Sequence, residues 1–188
     1  MAALQESQLL SEEDFLAGEL VSQTKHEYVA GRVYAMSGGT ANHSAVASNF
    51  LRVIGGKTAG TQCRTFTGDL SIRVQHIEGA SYFYPDASVI CSPVEGSDQF
   101  SDDPVVVLEV LSPSTRRIDE TSKLQGYMTL ASLKVCLLAE SDRPFVTVYR
   151  RSGEKFVVEI YDGEDVIPLP ELDFELSLKD LYQDVTES

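Results

Sequence analysis

The stretch Val105-Val106-Val107-Leu108-Glu109-Val110-Leu111 constrains this chain more than any other. A strand with one solvated face alternates apolar and polar residues; a nearly continuous apolar run reads instead as a strand covered on both faces. Glu109 sits alone inside that run. An ionised carboxylate taken out of water must be paired or must bind a cation. Glu109 therefore has two explanations, a buried ion pair or a cation site. Asp86, in Tyr84-Pro85-Asp86-Ala87, stands at the start of a neighbouring strand candidate and shifts the balance toward a functional pair of acids. The structural alternative stays open, because structural networks also bury and perturb carboxylates.

The 188 residues suit one domain with a sizeable core, spanning 1–188 with its body at about 15–182. No apolar run approaches the roughly 20 residues of a membrane span, and the N-terminus lacks a basic region followed by an apolar one. The expectation is a cytoplasmic protein with no membrane partner. Three scattered cysteines, Cys63, Cys91 and Cys136, show no metal-ligand spacing and read as reduced, buried thiols. The net charge of −14 bears on nucleic acid binding. A protein that grips many phosphates shows a basic face. Here acids cover both termini, and basic residues concentrate only at Arg116–Arg117 and Arg150–Arg151. That balance counts against tight non-specific binding to DNA.

Local signals place the remaining elements. Ser11 followed by Glu12, Glu13 and Asp14 predicts a capped helix ending near Gly18 to Val21. Ala30-Gly31 between β-rich flanks predicts a hairpin. Ser37 to Thr40 reads as a loop, with Thr40 or Asn42 capping a helix whose stripe is Val46, Phe50, Leu51, Val53 and Ile54. Gly55-Gly56 is expected to stop it. Strands are expected at 63–67, 70–74, 82–91 and 105–111, with an exposed, mobile loop over 92–104. Ser112 to Thr115 leads into a helix from about Asp119 to Ala131. Strands at 135–139 and 145–150, a hairpin of 155–161 with 166–169, and a short helix around Leu178 to Tyr182 complete an α/β domain with a mixed sheet.

Asp119, Lys123 and Tyr127 recur every four residues and share a helix face. The bland reading is a surface Asp–Lys pair with Tyr127 half packed below it. The position of this helix, just beyond the Glu109 strand, lets Lys123 turn back toward both carboxylates. Two acids and an ammonium at strand ends suit metal-assisted phosphodiester hydrolysis, in which oxygen ligands hold Mg²⁺ and the lysine stabilises developing charge.

The segments YPDASVIC and VVLEVLSPSTRRIDETSKLQGY resemble the Uma2 family of PD-(D/E)xK restriction-endonuclease-like nucleases. HEYVAGRVYAMSGGTANHSAVASNFL, CRTFTGDLSIRV and SLKVCLLAESDRPFVTVYRR are similar to that family in the same order. The resemblance runs from roughly Phe15 to Tyr182 and implies a restriction-endonuclease-like fold, a central mixed β-sheet flanked by helices. By position it implies Asp86 and Glu109 as metal ligands for Mg²⁺, with Mn²⁺ as a substitute. Leu111 stands where the usual lysine of ExK would be, and Lys123 on the following helix takes its place. Glu27 matches an N-terminal acid that joins the site. His43 and Asp69 match further positions of unassigned role. A cap or a buried hydrogen bond is the alternative for His43, and a turn for Asp69. DNA as substrate and a homodimer are family-level expectations.

Three readings follow. The first is a Mg²⁺-dependent endonuclease acting through Asp86, Glu109 and Lys123. The second is a non-catalytic interaction module that retains the fold. The third is a buried Glu109–Lys123 pair with no function attached.

Overall fold

The computed structural model describes residues 9–36, 38–77, 79–112, 116 and 119–186. Its centre is a six-stranded sheet built from β3 (Arg64–Thr67), β6 (Ala87–Ile90), β8 (Pro104–Leu111), β9 (Val135–Glu140), β10 (Phe145–Ser152) and β11 (Lys155–Asp162). Reading across, the order is β11-β10-β9-β8-β6-β3, and only β8 and β9 run parallel. A second sheet comprises β1 (His26–Val29), β2 (Arg32–Ala35), β4 (Ser71–His76), β5 (Gly79–Phe83) and β7 (Phe100–Ser101), ordered β2-β1-β5-β4-β7. The expected mixed sheet is therefore present, with a second mixed sheet laid against it.

β8 shows why its sequence is apolar on both sides. Val106, Leu108 and Val110 pack into one core with Val46, Phe50 and Ile54 of α2 (Ala41–Thr58) and with the C-terminal elements. Val107 and Leu111 point the other way, into a second core with Ile72, Val74 and Phe83 of the five-stranded sheet and with Leu124 and Tyr127 of α3 (Leu124–Thr129). By the two-residue period, Glu109 faces this second core. A third cluster packs Phe15 of α1 (Glu12–Glu19) on Tyr28 and Tyr82, its rings stacked on Tyr28 at 4.8 Å. Gly126 is needed where α3 meets the second sheet, because a Cβ there would lie 2.9 Å from Phe83 Cε2.

The caps at Ser11 and Thr40 form as read, accepting from the N–H groups of Asp14 and His43. Ala30 and Gly31 both take positive φ, the turn that matches the twist of a tight hairpin. Several boundaries differ from expectation. α2 runs through Gly55-Gly56 to Thr58. Ile54 and Thr58, four apart and both buried, hold its last turn against the protein, so packing outweighs the roughly 1 kcal/mol each glycine costs. The single strand expected over 82–91 is two strands in different sheets, because the chain crosses over at Tyr84-Pro85-Asp86. Residues 100–101 of the expected loop form β7, parallel to β4. The expected 155–161 and 166–169 hairpin is re-paired. β11 lies on β10, while β12 (Val166–Leu169) pairs with β13 (Phe174–Ser177), ahead of the short helix α4 (Leu178–Leu181). Pro113, Ser114 and Thr115 of the expected turn, Arg117 of the basic pair and Ser37 of the glycine loop lie outside the described residues.

The cysteine expectation is corrected. Cys63 and Cys91 extend the β3–β6 register by one pair, with Cα atoms 3.9 Å apart, and form a disulfide. Only Cys136 is a free thiol, and it is buried. Among the described residues no helix is long and apolar enough to cross a membrane.

Candidate active site

Four elements deliver ionisable groups to one pocket of about 140 Å³. β8 supplies Glu109, β1 supplies Glu27, the crossover before β6 supplies Asp86, and the turn entering α3 supplies Asp119 and Lys123. That turn, Asp119–Lys123, is π-helical, a form with i to i+5 bonds that recurs at functional positions. The helix expected from Asp119 is thus present with a widened first turn.

The Lys123 ammonium is the hub. Its Nζ lies 2.7 Å from Glu27 Oε1, 3.1 Å from Asp119 Oδ1 and 3.3 Å from Glu109 Oε2. Glu109 Oε1 accepts a 2.8 Å hydrogen bond from the Tyr127 hydroxyl. These groups are buried, from 0% exposure at Tyr127 to 6% at Glu27. The Asp119–Lys123 pair is therefore no surface pair, and Asp119 is an acid of the site that sequence reasoning set aside. Asp119 Oδ1 meets the ammonium as a charge contact without hydrogen-bond geometry, which leaves a buried acceptor unsatisfied.

Asp86 stands beside this cluster. Its Oδ2 accepts from the Val110 N–H at 2.7 Å, so the acid is fastened to the residue that follows Glu109. The His43 ring, on the first turn of α2, places Nε2 3.3 Å from the same oxygen. Gly39 leaves room for that ring, since a Cβ there would meet His43 Nδ1 at 2.7 Å. The hydrogen bond to Asp86 raises the His43 pKa above its ordinary value, against the effect of burial.

The electrostatics follow from burial and surplus charge. Burial pushes the Glu109 pKa well above the carboxylate range, with Asp119, Asp86 and Glu27 adding to it and Lys123 opposing. Burial alone would lower Lys123, but Glu109, Glu27 and Asp119 outweigh it and hold the ammonium protonated. Burial likewise raises Tyr127, so its hydroxyl remains a donor. Four carboxyl groups and one ammonium share the pocket, so ionising every acid would leave a surplus of three negative charges before any charge on His43. Such a surplus in a water-poor place calls for protons or a cation.

The donor set fits a hard divalent cation. Among the described residues no three His, Cys, Asp or Glu side chains already converge as ligands. Mg²⁺ does not require that: it binds through one or two carboxylates and keeps several waters or substrate oxygens. Asp86, just before β6, and Glu109, on the adjacent β8, are two such carboxylates, and the negative balance with an unsatisfied Asp119 oxygen suits a cation.

Of the residues singled out in the sequence, Asp86, Glu109, Lys123, Glu27, His43 and Tyr127 meet here. Asp69 does not. It is an exposed acid paired with Lys25 and hydrogen-bonded by Thr67, outside the pocket lining. The pocket rim adds Tyr34, Met36, Gly38 and Gly39, which carried no chemical signal.

Comparison with known proteins bears on the family and the fold. The chain is similar to an uncharacterized protein of Synechocystis, 31% identical over 176 residues that span 93% of this chain and 92% of that one. A second uncharacterized Synechocystis protein is 27% identical over 158 residues, 82% and 88% of the two chains. Among solved structures, a crystal structure from Anabaena variabilis described as "a putative nuclease belonging to DUF820" superposes with a TM-score of 0.72 at 24% identity. The match covers 92% of this chain and 97% of that one, and it establishes the shared fold. Residues 12–179 match the Uma2 family, described as "Putative restriction endonuclease". The chain belongs to the Uma2 family.

Proposed function

We propose that this chain is a Mg²⁺-dependent nuclease that hydrolyses phosphodiester bonds in DNA. The observation that carries the reading is the meeting of Asp86, Glu109 and the Lys123 ammonium in one recess, with more buried negative charge than the protein neutralises. Asp86 and Glu109 would hold the ion, whose chemistry is to activate water and offset charge on a phosphate. Tyr127 fixes the Glu109 carboxylate from below, leaving its orientation little freedom. Glu27 and Asp119 keep Lys123 cationic and aimed into the pocket, where it can donate to a phosphate oxygen as negative charge develops there. The Val110 N–H holds Asp86 in register with Glu109.

The test is cleavage of varied DNA substrates with Mg²⁺ and with a chelator. Activity that needs the metal and is lost in Glu109→Ala is expected. No cleavage by the purified protein, or full activity in Glu109→Ala, rejects the assignment. Lys123→Ala tests the displaced lysine separately: cleavage at the wild-type rate removes Lys123 from the mechanism and leaves the rest.

One observation favours the non-catalytic alternative. Both Glu109 oxygens already have partners within the protein, Lys123 on one and Tyr127 on the other. Calorimetric titration with Mg²⁺ and Mn²⁺ separates the two readings, since a closed ion-pair cluster binds neither.

A further inference from the structure

The pocket opens beside β2, an outer strand of the five-stranded sheet whose four residues are all exposed. In the β1–β2 register Tyr34 lies directly opposite Glu27, and cross-strand partners share a face. Tyr34 is therefore a wall of the pocket next to its acids, yet 39% exposed. Arg32, two residues earlier, shares that face and is exposed. Among the described residues no side chain is paired with its guanidinium. An open aromatic ring followed by an unclaimed cation leads along the strand into the recess.

Several other cations are held in ion pairs. Arg73 is held by Asp102, Arg150 by Glu159 and Glu171, Lys25 by Asp69, and Arg116 by Glu120 and Glu140. With a net charge of −14, the chain has little with which to neutralise the several phosphates that duplex binding involves. Duplex DNA also holds its phosphates on a stiff rod, with its bases stacked on one another. A single strand differs in both respects. Its backbone bends into a recess, and its bases offer free faces for aromatic stacking.

We propose that β2 is a track for single-stranded DNA, with a base stacked on Tyr34, a phosphate on Arg32 and the neighbouring phosphodiester entering the pocket. The inference rests on the nuclease reading of that pocket and names its substrate class. Neither Tyr34 nor Arg32 has a part in the bond-breaking chemistry; both are positioning residues. Their loss acts on binding and KM, with kcat largely kept.

The experiment pairs cleavage with binding. Cleavage rates are compared for one sequence as a single strand and as a blunt duplex. Binding of a fluorescent single-stranded oligonucleotide and of the same duplex is measured by anisotropy with Ca²⁺, another oxygen-seeking cation. The single strand is expected to be cut and bound in preference to the duplex. Tyr34→Ala should weaken single-strand binding roughly five- to hundredfold, the range of one stacked base. Tyr34→Phe, which keeps the ring, should bind like wild type, and Arg32→Ala should flatten the salt dependence. Equal or better handling of the duplex, or unchanged binding in Tyr34→Ala, overturns the proposal. If neither substrate is cut while the single strand still binds through Tyr34, the track stands and the nuclease reading fails.

Discussion

Two clusters in this molecule share a plan and differ in setting. In the pocket, Lys123 meets Glu109, Glu27 and Asp119, and Tyr127 donates to Glu109. Across β10 and β11, Arg150 meets Glu159 and Glu171, and Tyr161 donates to Glu159 at 2.9 Å. The second cluster is partly open to solvent, with Glu159 30% exposed by its side chain, and its arginine also donates to the Pro168 carbonyl. Arg150 donates to both acids, and the cluster acts as a clasp between the strands and the loop below. The first is buried at the floor of its pocket, carries surplus acid and leaves an Asp119 oxygen without a hydrogen bond. One carboxylate in each cluster shifts in the opposite direction: burial raises Glu109, whereas the Arg150 hydrogen bond lowers Glu159. The clasp leaves a surplus of one acid beside solvent, whereas the pocket holds a larger surplus away from it, as a cation site would require.

Removing the hub of each cluster should break the symmetry most. Lys123→Met leaves three buried carboxylates uncompensated and is expected to cost about 3–5 kcal/mol. Arg150→Met, partly screened by solvent, should cost about 1 kcal/mol. Urea denaturation of both variants measures the difference, and equal costs would show that the pocket is no more strained than the clasp. Saturating Mg²⁺ should come next. At a hundred times its Kd it is expected to stabilise the folded protein by about 2.7 kcal/mol. Asp86→Asn should lose that gain, while Glu159→Gln should keep it, both read by thermal shift.

The tyrosines offer a finer comparison. Tyr127→Phe deprives a buried carboxylate of a donor and is expected to cost about 2 kcal/mol. Tyr161→Phe, where water can replace the hydroxyl, should stay below about 1 kcal/mol. The last comparison is the pH response of the metal-free protein. A carboxyl whose folded pKa is raised stabilises below its unfolded pKa and loses that contribution as pH rises through the folded value. One that is lowered stabilises above its unfolded pKa and loses that as pH falls. Relative to wild type, Glu109→Gln should therefore gain stability as pH rises through and above the carboxylate range. Glu159→Gln should gain as pH falls below it. Parallel melting curves across pH decide the matter; slopes of the same sign would contradict the contrast.

Much of the pocket was readable from the chain. Glu109 announced itself as one acid in an apolar strand, and Asp86 as an acid after a proline at a strand start. The four-residue spacing brought Lys123 and Tyr127 to one face, as found. Asp119 was on that face too but resembled an ordinary surface pair, because nothing local reveals that a turn will be covered by a second sheet. The same lack of long-range information hid the crossover at Tyr84-Pro85-Asp86 and the partner of β11. It also hid the Cys63–Cys91 bond, which depends on two strands 28 residues apart meeting in register. Gly55-Gly56 misled for the opposite reason: a strong local stop signal yielded to packing around Ile54 and Thr58. For Asp69, local turn chemistry and an ion pair with Lys25 account for the residue.

The crossover between the sheets also sets the order in which the pocket can assemble. Glu27 belongs to one sheet, Glu109 to the other, and Asp86 to the hand-over between them. A nascent chain with a single finished layer owns an incomplete set of acids, and the lysine that joins them is delivered only when α3 docks into the seam. The complete cluster of acids and ammonium therefore comes into being only once both sheets and α3 have come together.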